Sequence, residues 1–163
     1  MDIAQEELKH FLEYDPATGV FTRIRAGSPR HASKIGKPCG TINKVLGYVE
    51  INVGGRNHYG HRLAWIYVHG CIPEGARIDH EDWNRANNRL TNLRCATHAQ
   101  NLQNCKTRTD NTSGVKGVWW DAARQQWAAG VGKRKLGRFG TLLDAACARK
   151  SAALLRHGEF AAE

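Results

Sequence analysis

Between Ala76 and Gln103 the chain concentrates side chains that hold cations and move protons. Arg77-Ile-Asp-His80 is followed by Asn84, Asn87, Asn88, Asn92, Arg94, His98 and Asn101. Asp79 offers a carboxylate and Asn101 an amide oxygen, two hard donors suited to Mg²⁺ or Mn²⁺. His80, beside Asp79, offers an imidazole able to deprotonate a water. Together these groups suit phosphodiester hydrolysis. A cation offsets the charge on pentavalent phosphorus and the leaving 3′ oxygen, while the base activates water on the opposite side. Arg94 adds a guanidinium fork with the reach to meet the scissile phosphate.

Such groups act only if secondary structure holds them. Ile78 amid polar neighbours predicts a short strand over 76–80 that ends at His80. Thr97-x-x-Gln100 is a capping-box pattern, so a helix should start just after Thr97 and carry Asn101 in its first turn. Upstream, Ile3, Leu8, Phe11 and Leu12 predict an amphipathic opening helix, and residues 14–19 a turn. Residues 20–25 and 47–53 alternate as strands do, and Gly54-Gly55 reads as a hairpin turn after the second. An apolar helix is expected over 61–69. The first third is thus a β-rich platform leading into a helix. His61 reads equally as a packing and as a catalytic residue and is not assigned to the site.

Asp79-His80, eleven residues, Asn92, eight residues, Asn101, with Asn92-Leu-Arg94 and Ala96-Thr97 between, resembles the HNH homing endonucleases of phages and introns. Tyr59-Gly-His-Arg-Leu-Ala-Trp65 and Gly70-Cys-Ile-Pro-Glu-Gly75 resemble the segments that precede the motif in that family. The resemblance covers about residues 10–105. It implies an α+β protein with a ββα-metal nuclease fold and the residue roles of the family. These are His80 as general base, Asp79 and Asn101 as ligands of Mg²⁺ (or Mn²⁺), and Asn92 as brace of the loop that orients the base. The last motif position is Asn rather than His, as in a subset of the family. His98, three residues earlier on the same helical face, is the alternate ligand.

Downstream, three short strands are expected over 114–120, 126–131 and 135–139. Thr141-Leu-Leu-Asp144 then caps an alanine-rich helix that stops at Gly158. Ser113-Gly-Val-Lys-Gly-Val-Trp-Trp-Asp121, Gln126-Trp-Ala-Ala129, Leu136-Gly-Arg-Phe-Gly140 and Asp144-Ala-Ala146 resemble the plant ethylene-response (APETALA-two) DNA-binding domain, which also occurs in phage HNH endonucleases. That likeness covers about residues 112–160. It implies a three-stranded antiparallel sheet, packed on one helix, that enters the major groove of double-stranded DNA. The residues available for contact are Lys116, Trp119, Trp120, Arg124, Trp127, Lys133, Arg134, Lys135 and Arg138, cations and aromatics that serve phosphates and base edges together. At least one of the three tryptophans must instead supply a core for so small a module.

The charge distribution agrees. The 163 residues carry 24 Lys+Arg against 15 Asp+Glu, a formal net charge of +9. Up to Cys105 there are 13 basic and 10 acidic residues; from Lys106 onward there are 11 and 5, so two thirds of the excess lies in the last third of the chain. A field of that sign attracts polyanions. Residues 102–113 have a linker's composition. The expected organisation is therefore a nuclease domain over 1–105, a linker over 106–112 and a DNA-binding domain over 113–163.

The longest apolar run, Leu63 to Val68, is far short of the ~20 residues that span a bilayer. An acidic start with no apolar core after it predicts no secretory or mitochondrial leader. The five Cys include no C-x-x-C pair, which argues against a disulfide framework or a zinc knuckle and for the cytoplasm. The phage resemblance implies a bacterial host cell as that setting. The expected activity is sequence-directed DNA cleavage without a small-molecule cofactor, by a monomer or weak dimer. One motif per chain favours nicking. A non-cleaving DNA-binding regulator would keep the basic module without needing Asp79, His80 or Asn101. A restriction or packaging nuclease would share the chemistry and differ in context.

Overall fold

The structure, a computed structural model, describes residues 2–27, 29–103, 107 and 109–158. The chain divides into two compact units, Met1–His98 and Ala99–Glu163. No helix among the described residues is long and apolar enough to cross a membrane. Lys106 and Arg108 of the expected linker, and Cys105 at the end of the expected nuclease domain, lie outside the described residues.

The first unit opens with helix α1 (Gln5–Phe11), followed directly by β1 (Leu12–Asp15). A tight turn leads into β2 (Val20–Arg23), which pairs antiparallel from Leu12↔Arg23 to Asp15↔Val20. Asp15 holds that turn by accepting from the Ala17 amide at 2.9 Å and the Thr18 hydroxyl at 2.7 Å. The same bonds, Thr18's first, keep its carboxyl below the usual range. Residues 24 and 25, expected to continue the strand, leave it because their amides turn to the carbonyl of Phe11.

Strand β3 (Pro38–Cys39) completes the sheet in the order β1-β2-β3. A second sheet holds β4 (Thr41–Ile42), β5 (Val49–Val53) and β6 (Arg56–Tyr59) in that order. Gly54 and Gly55, at φ 57° and 80°, make the two-residue turn between β5 and β6. Both central residues need positive φ in the turn whose twist matches a hairpin, which is why glycine stands at both.

Helix α2 (Gly60–His69) follows β6 without a loop and buries His61, Leu63, Ala64 and Ile66. Leu8, Leu12, Phe21, Ile51, Leu63 and Ile66 meet in one core with essentially no exposure. Each such side chain contributes about 1.5–3 kcal/mol through its burial. Against this platform the chain builds β7 (Arg77–His80) and β8 (Leu93–Ala96), paired antiparallel. Helix α3 (His98–Gln103) follows in sequence. β7, β8 and α3 form the expected ββα order. The helix reaches Gln103, into the stretch whose composition reads as linker.

The second unit contains β9 (Val118–Asp121), β10 (Gln126–Val131) and β11 (Arg134–Phe139), antiparallel in the order β11-β10-β9, and helix α4 (Leu142–His157). Thr141 caps α4 as the sequence predicts, its hydroxyl oxygen accepting from the Asp144 amide at 3.1 Å. β9 starts later than expected because Ser113 Oγ bonds the carbonyls of Val115 and Val118 and holds a turn there. Val118, Ala129 and Ala145 form the core, with Trp127, Leu136 and Phe139 packed on it. Alanine at 145 lets the helix lie close to the sheet; Ala153 is equally enclosed.

Candidate active site

Strand alternation sends Ile78 and His80 to the buried side of β7 and Arg77 and Asp79 to the other. The ladder sets Asp79 opposite Arg94 and His80 opposite Leu93. Arg94 Nε and Nη2 both donate to Asp79 Oδ2 at 3.2 Å, with the two side chains only 13% and 11% exposed. The guanidinium expected at a scissile phosphate thus lies on the neighbouring carboxylate.

His80 is 4% exposed. Its Nε2 lies 3.4 Å from Asn88 Oδ1, and the rings of His61 and Tyr48 pack at centroid distances of 5.0 and 5.9 Å. Burial lowers its pKa against the opposing pull of Asn88, Asp82 and Asp79, so the ring is neutral near pH 7. An amide oxygen only accepts. With Asn88 oriented this way, the neutral ring carries its proton on Nε2 and its lone pair on Nδ1.

The loop from Glu81 to Asn92 explains its own richness in asparagine. Asp82 Oδ1 accepts from the Asn84 amide at 2.8 Å and from Asn92 Nδ2 at 2.9 Å, and Oδ2 accepts from Asn87 Nδ2 at 2.7 Å. Burial works to raise the Asp82 pKa, but these bonds outweigh it and hold the carboxyl low. Asn92, nearly buried, closes the loop at both ends: Oδ1 accepts from the Asp82 amide at 3.0 Å and Nδ2 donates to the Asn87 carbonyl at 2.9 Å. Trp83 sits at φ 61°, a left-handed position for a bulky residue, and its amide donates to the His80 carbonyl at 3.2 Å. So costly a conformation persists only where surrounding bonds over-determine it, as they do here.

Asn88 joins this loop to the platform. It is 3% exposed, its carbonyl accepts from the Tyr14 hydroxyl at 2.7 Å, and its amide group fills space that a Cβ at Gly60 would occupy. Arg85 packs over the Tyr48 ring at 4.9 Å and donates to the Leu46 carbonyl at 2.9 Å. Asp82, Asn88, Tyr48 and His61 are neighbours of His80 or of its loop to which sequence reasoning gives no role. The crowding of Asn84, Asn87 and Asn88 is the one signal in the sequence that points toward them. Tyr48 lies thirty residues upstream with no motif around it.

Asp79, His80, Asn92 and Arg94 come together within the first unit. Asn101 is half-buried in α3, within the second unit, and His98 is exposed at the start of that helix. Among the described residues no group of three or more His, Cys, Asp or Glu side chains is placed to hold a metal. Asp79 and Asn101, taken by donor type alone, fit a hard divalent cation in kind. One carboxylate and one amide are the sparse oxygen set Mg²⁺ takes when waters and phosphate oxygens fill its other positions.

In the second unit, the register sets Trp119 and Arg138 opposite Ala128 on one sheet face and Trp120 and Phe139 opposite Trp127 on the other. Trp127 and Phe139 belong to the core, and Trp120 meets Trp127 edge-on at 5.1 Å while remaining 45% exposed. Trp119 is as exposed, on the face away from the core. Arg138 Nε donates to Asp121 Oδ2 at 2.9 Å across the intervening strand, and Arg124 reaches the same oxygen at 3.5 Å. The Arg138 bond, the larger effect, and Arg124 keep the Asp121 carboxyl below its usual range. Lys116, Trp119, Lys133, Arg134, Lys135 and the buried Arg149 line a hollow of about 420 Å³.

A chain built as β-strand, amide-braced loop, β-strand and helix, with Asp-His at the end of the first strand, matches the HNH endonuclease family over residues 58–103. It belongs to that family and is an enzyme, a hydrolase of phosphodiester bonds. Within it, the chain is a homologue of protein 3.8 of Escherichia phage T7, 38% identical over 104 residues that make up 62% of this chain and 86% of that protein. It is also similar to a solved structure described as DNA binding and cleavage by the HNH homing endonuclease I-HmuI, with 30% identity and a TM-score of 0.48. That likeness covers 64% of this chain and 57% of the other, so the chain spans somewhat over half the length of that relative.

Proposed function

We propose that this endonuclease is divalent-metal-dependent and of the homing type, and that as a monomer it nicks one strand of double-stranded DNA in the bacterial cytoplasm. Residues 1–105 cut, residues 113–163 find the target and residues 106–112 join them. The observation that carries the reading is a buried imidazole at the end of β7, following a carboxylate in the chain and set on a loop braced by Asn92. A base must be unprotonated to act, and burial favours that form of His80.

In this reading His80 takes a proton from the attacking water as the water oxygen bonds to phosphorus and the P–O3′ bond breaks. Asn92 braces the loop that fixes His80. Asp79 and Asn101, or His98 in place of the latter, hold Mg²⁺ or Mn²⁺, which when bound supplies positive charge to the phosphoryl and leaving oxygens. Arg94 rests on Asp79 in the absence of substrate and turns its fork to the scissile phosphate when substrate arrives.

DNA recognition is assigned to the second unit as an APETALA-two-like module. Trp119, Arg124 and Arg138 serve from the sheet face away from the core; Lys116, Lys133, Arg134 and Lys135 grip phosphates from the hollow. Trp120 joins them through its exposed half, and Trp127 acts through the core beneath it. Six phosphate contacts give a slope of about −5 when log binding constant is plotted against log salt. A filter-binding titration from low to moderate salt measures it, and a slope near zero removes the phosphate grip.

Mapping the ends produced on a DNA library tests the whole reading. In Mg²⁺ the expected products are discrete nicks on one strand, with 3′-hydroxyl and 5′-phosphate ends, abolished by a chelator. Ends that are absent in both Mg²⁺ and Mn²⁺, or undiminished by the chelator, overturn it.

A further inference from the structure

One buried polar ring beside the site has no part in the reaction as described. His61, in the first turn of α2, is 7% exposed, and its Nδ1 is fully enclosed without a hydrogen-bond partner. Its ring meets His80 edge to face, at 5.0 Å between centroids and 65° between planes. Tyr48 lies 4.9 Å away on it and Tyr59 stacks at 5.7 Å. An enclosed nitrogen with no partner destabilises the fold by the desolvation of that group. Phenylalanine would fill the same aromatic nest without that penalty, so packing does not account for an imidazole here.

We propose that His61 is a positioning residue of the catalytic centre, an imidazole whose ring fixes the plane of His80 and whose unanswered nitrogen dipole favours the charge that His80 acquires. The proposal rests on His80 being the base. Asn88 at its Nε2, with His61 and Tyr48 against the ring itself, then holds the His80 ring. A dipole already in place next to developing charge needs no reorganisation during the reaction, which is the condition for electrostatic stabilisation. Burial, with lesser contributions from His80 and Arg62, pushes the His61 pKa down to about 3. The ring therefore stays neutral and does not repel a protonated His80.

The test uses the full chain on supercoiled plasmid in Mg²⁺, reading the single-turnover nicking rate, the DNA dissociation constant and Tm. His61→Phe is expected to keep or raise Tm and to leave DNA affinity unchanged, while the nicking rate falls about tenfold or more, approaching the loss seen for a preorganised dipole. His61→Gln, which keeps polarity but loses the ring, is expected to show the same rate loss and is the variant that decides if His61→Phe does not fold. A rate within twofold of the parent overturns the proposal, and so does a rate loss that tracks an equal loss of Tm, which is a packing effect. His80→Ala runs in parallel. If it nicks at the parental rate, the reading of His80 as base has failed and this proposal falls with it; if it is inactive while His61→Phe stays within twofold of the parental rate, the proposal alone has failed.

Discussion

His80→Ala is expected to slow strand cleavage by about 10²–10⁴-fold with DNA affinity unchanged, the range lost when a positioned general base is removed. At 1.36 kcal/mol per decade this is roughly 3–5 kcal/mol of transition-state stabilisation. The geometry separates this loss from unfolding. His80 is at the end of a two-stranded ladder, its ring touching His61, Tyr48 and Asn88, while the main core of Leu8, Leu12, Phe21 and Leu63 is made by other residues. Alanine should therefore lower Tm only modestly. Quenched-flow or gel-based single-turnover nicking in Mg²⁺, paired with a binding titration, measures both terms. A variant that cleaves within a few-fold of the parent sinks the assignment of the base, whatever it does to stability.

The part of this site legible in the sequence is the part written locally. Asp79 and His80 are adjacent, their strand is marked by one apolar residue among polar ones, and the helix that follows starts where the pattern at Thr97 predicts. The hairpin at Gly54-Gly55 and the cap at Thr141 are readable for the same reason, since each is satisfied by bonds within a few residues. Contacts closed by the tertiary fold leave no such trace. The Asp79–Arg94 pair exists because β7 and β8 align in one register; a one-residue slip would send Arg94 to the other face. His61 is ambiguous in sequence because a helical residue with apolar neighbours reads as core, and it is core; its position against His80 follows only from the docking of α2 on β7. The tryptophans divide likewise by pairing across β10, which periodicity within a single strand does not reveal.

The most distant of these dependencies carries the other large effect. Gly19→Ala is expected to destabilise the first unit by about 3 kcal/mol or more and to reduce cleavage in the molecules that remain folded. Gly19 ends the β1–β2 turn at φ 75°, where an L side chain is strained by roughly 1–2 kcal/mol. A Cβ there would lie 2.5 Å from the Arg89 amide nitrogen and 2.6 Å from the Asn88 carbonyl carbon. Both are backbone atoms of the loop from Glu81 to Asn92, so no side-chain rotation relieves the clash. The loop is held to the same hairpin by the Leu90 amide on the Pro16 carbonyl at 3.1 Å and by the hydroxyl of Tyr14, in β1, on the Asn88 carbonyl. Relief must come from moving the loop, and with it Asn88, whose Oδ1 faces His80 Nε2. Gly36→Ala supplies the reference: it has the same φ of 75° and nothing within 4 Å of its Cβ, so it reports conformational strain alone. Thermal unfolding and nicking rate for the two variants isolate the clash by difference. Equal losses of Tm and rate in both would mean that the turn at Gly19 does not support the loop that follows His80. A loss of rate confined to Gly19→Ala shows that the loop after His80 is held in place from a turn about sixty residues upstream of it.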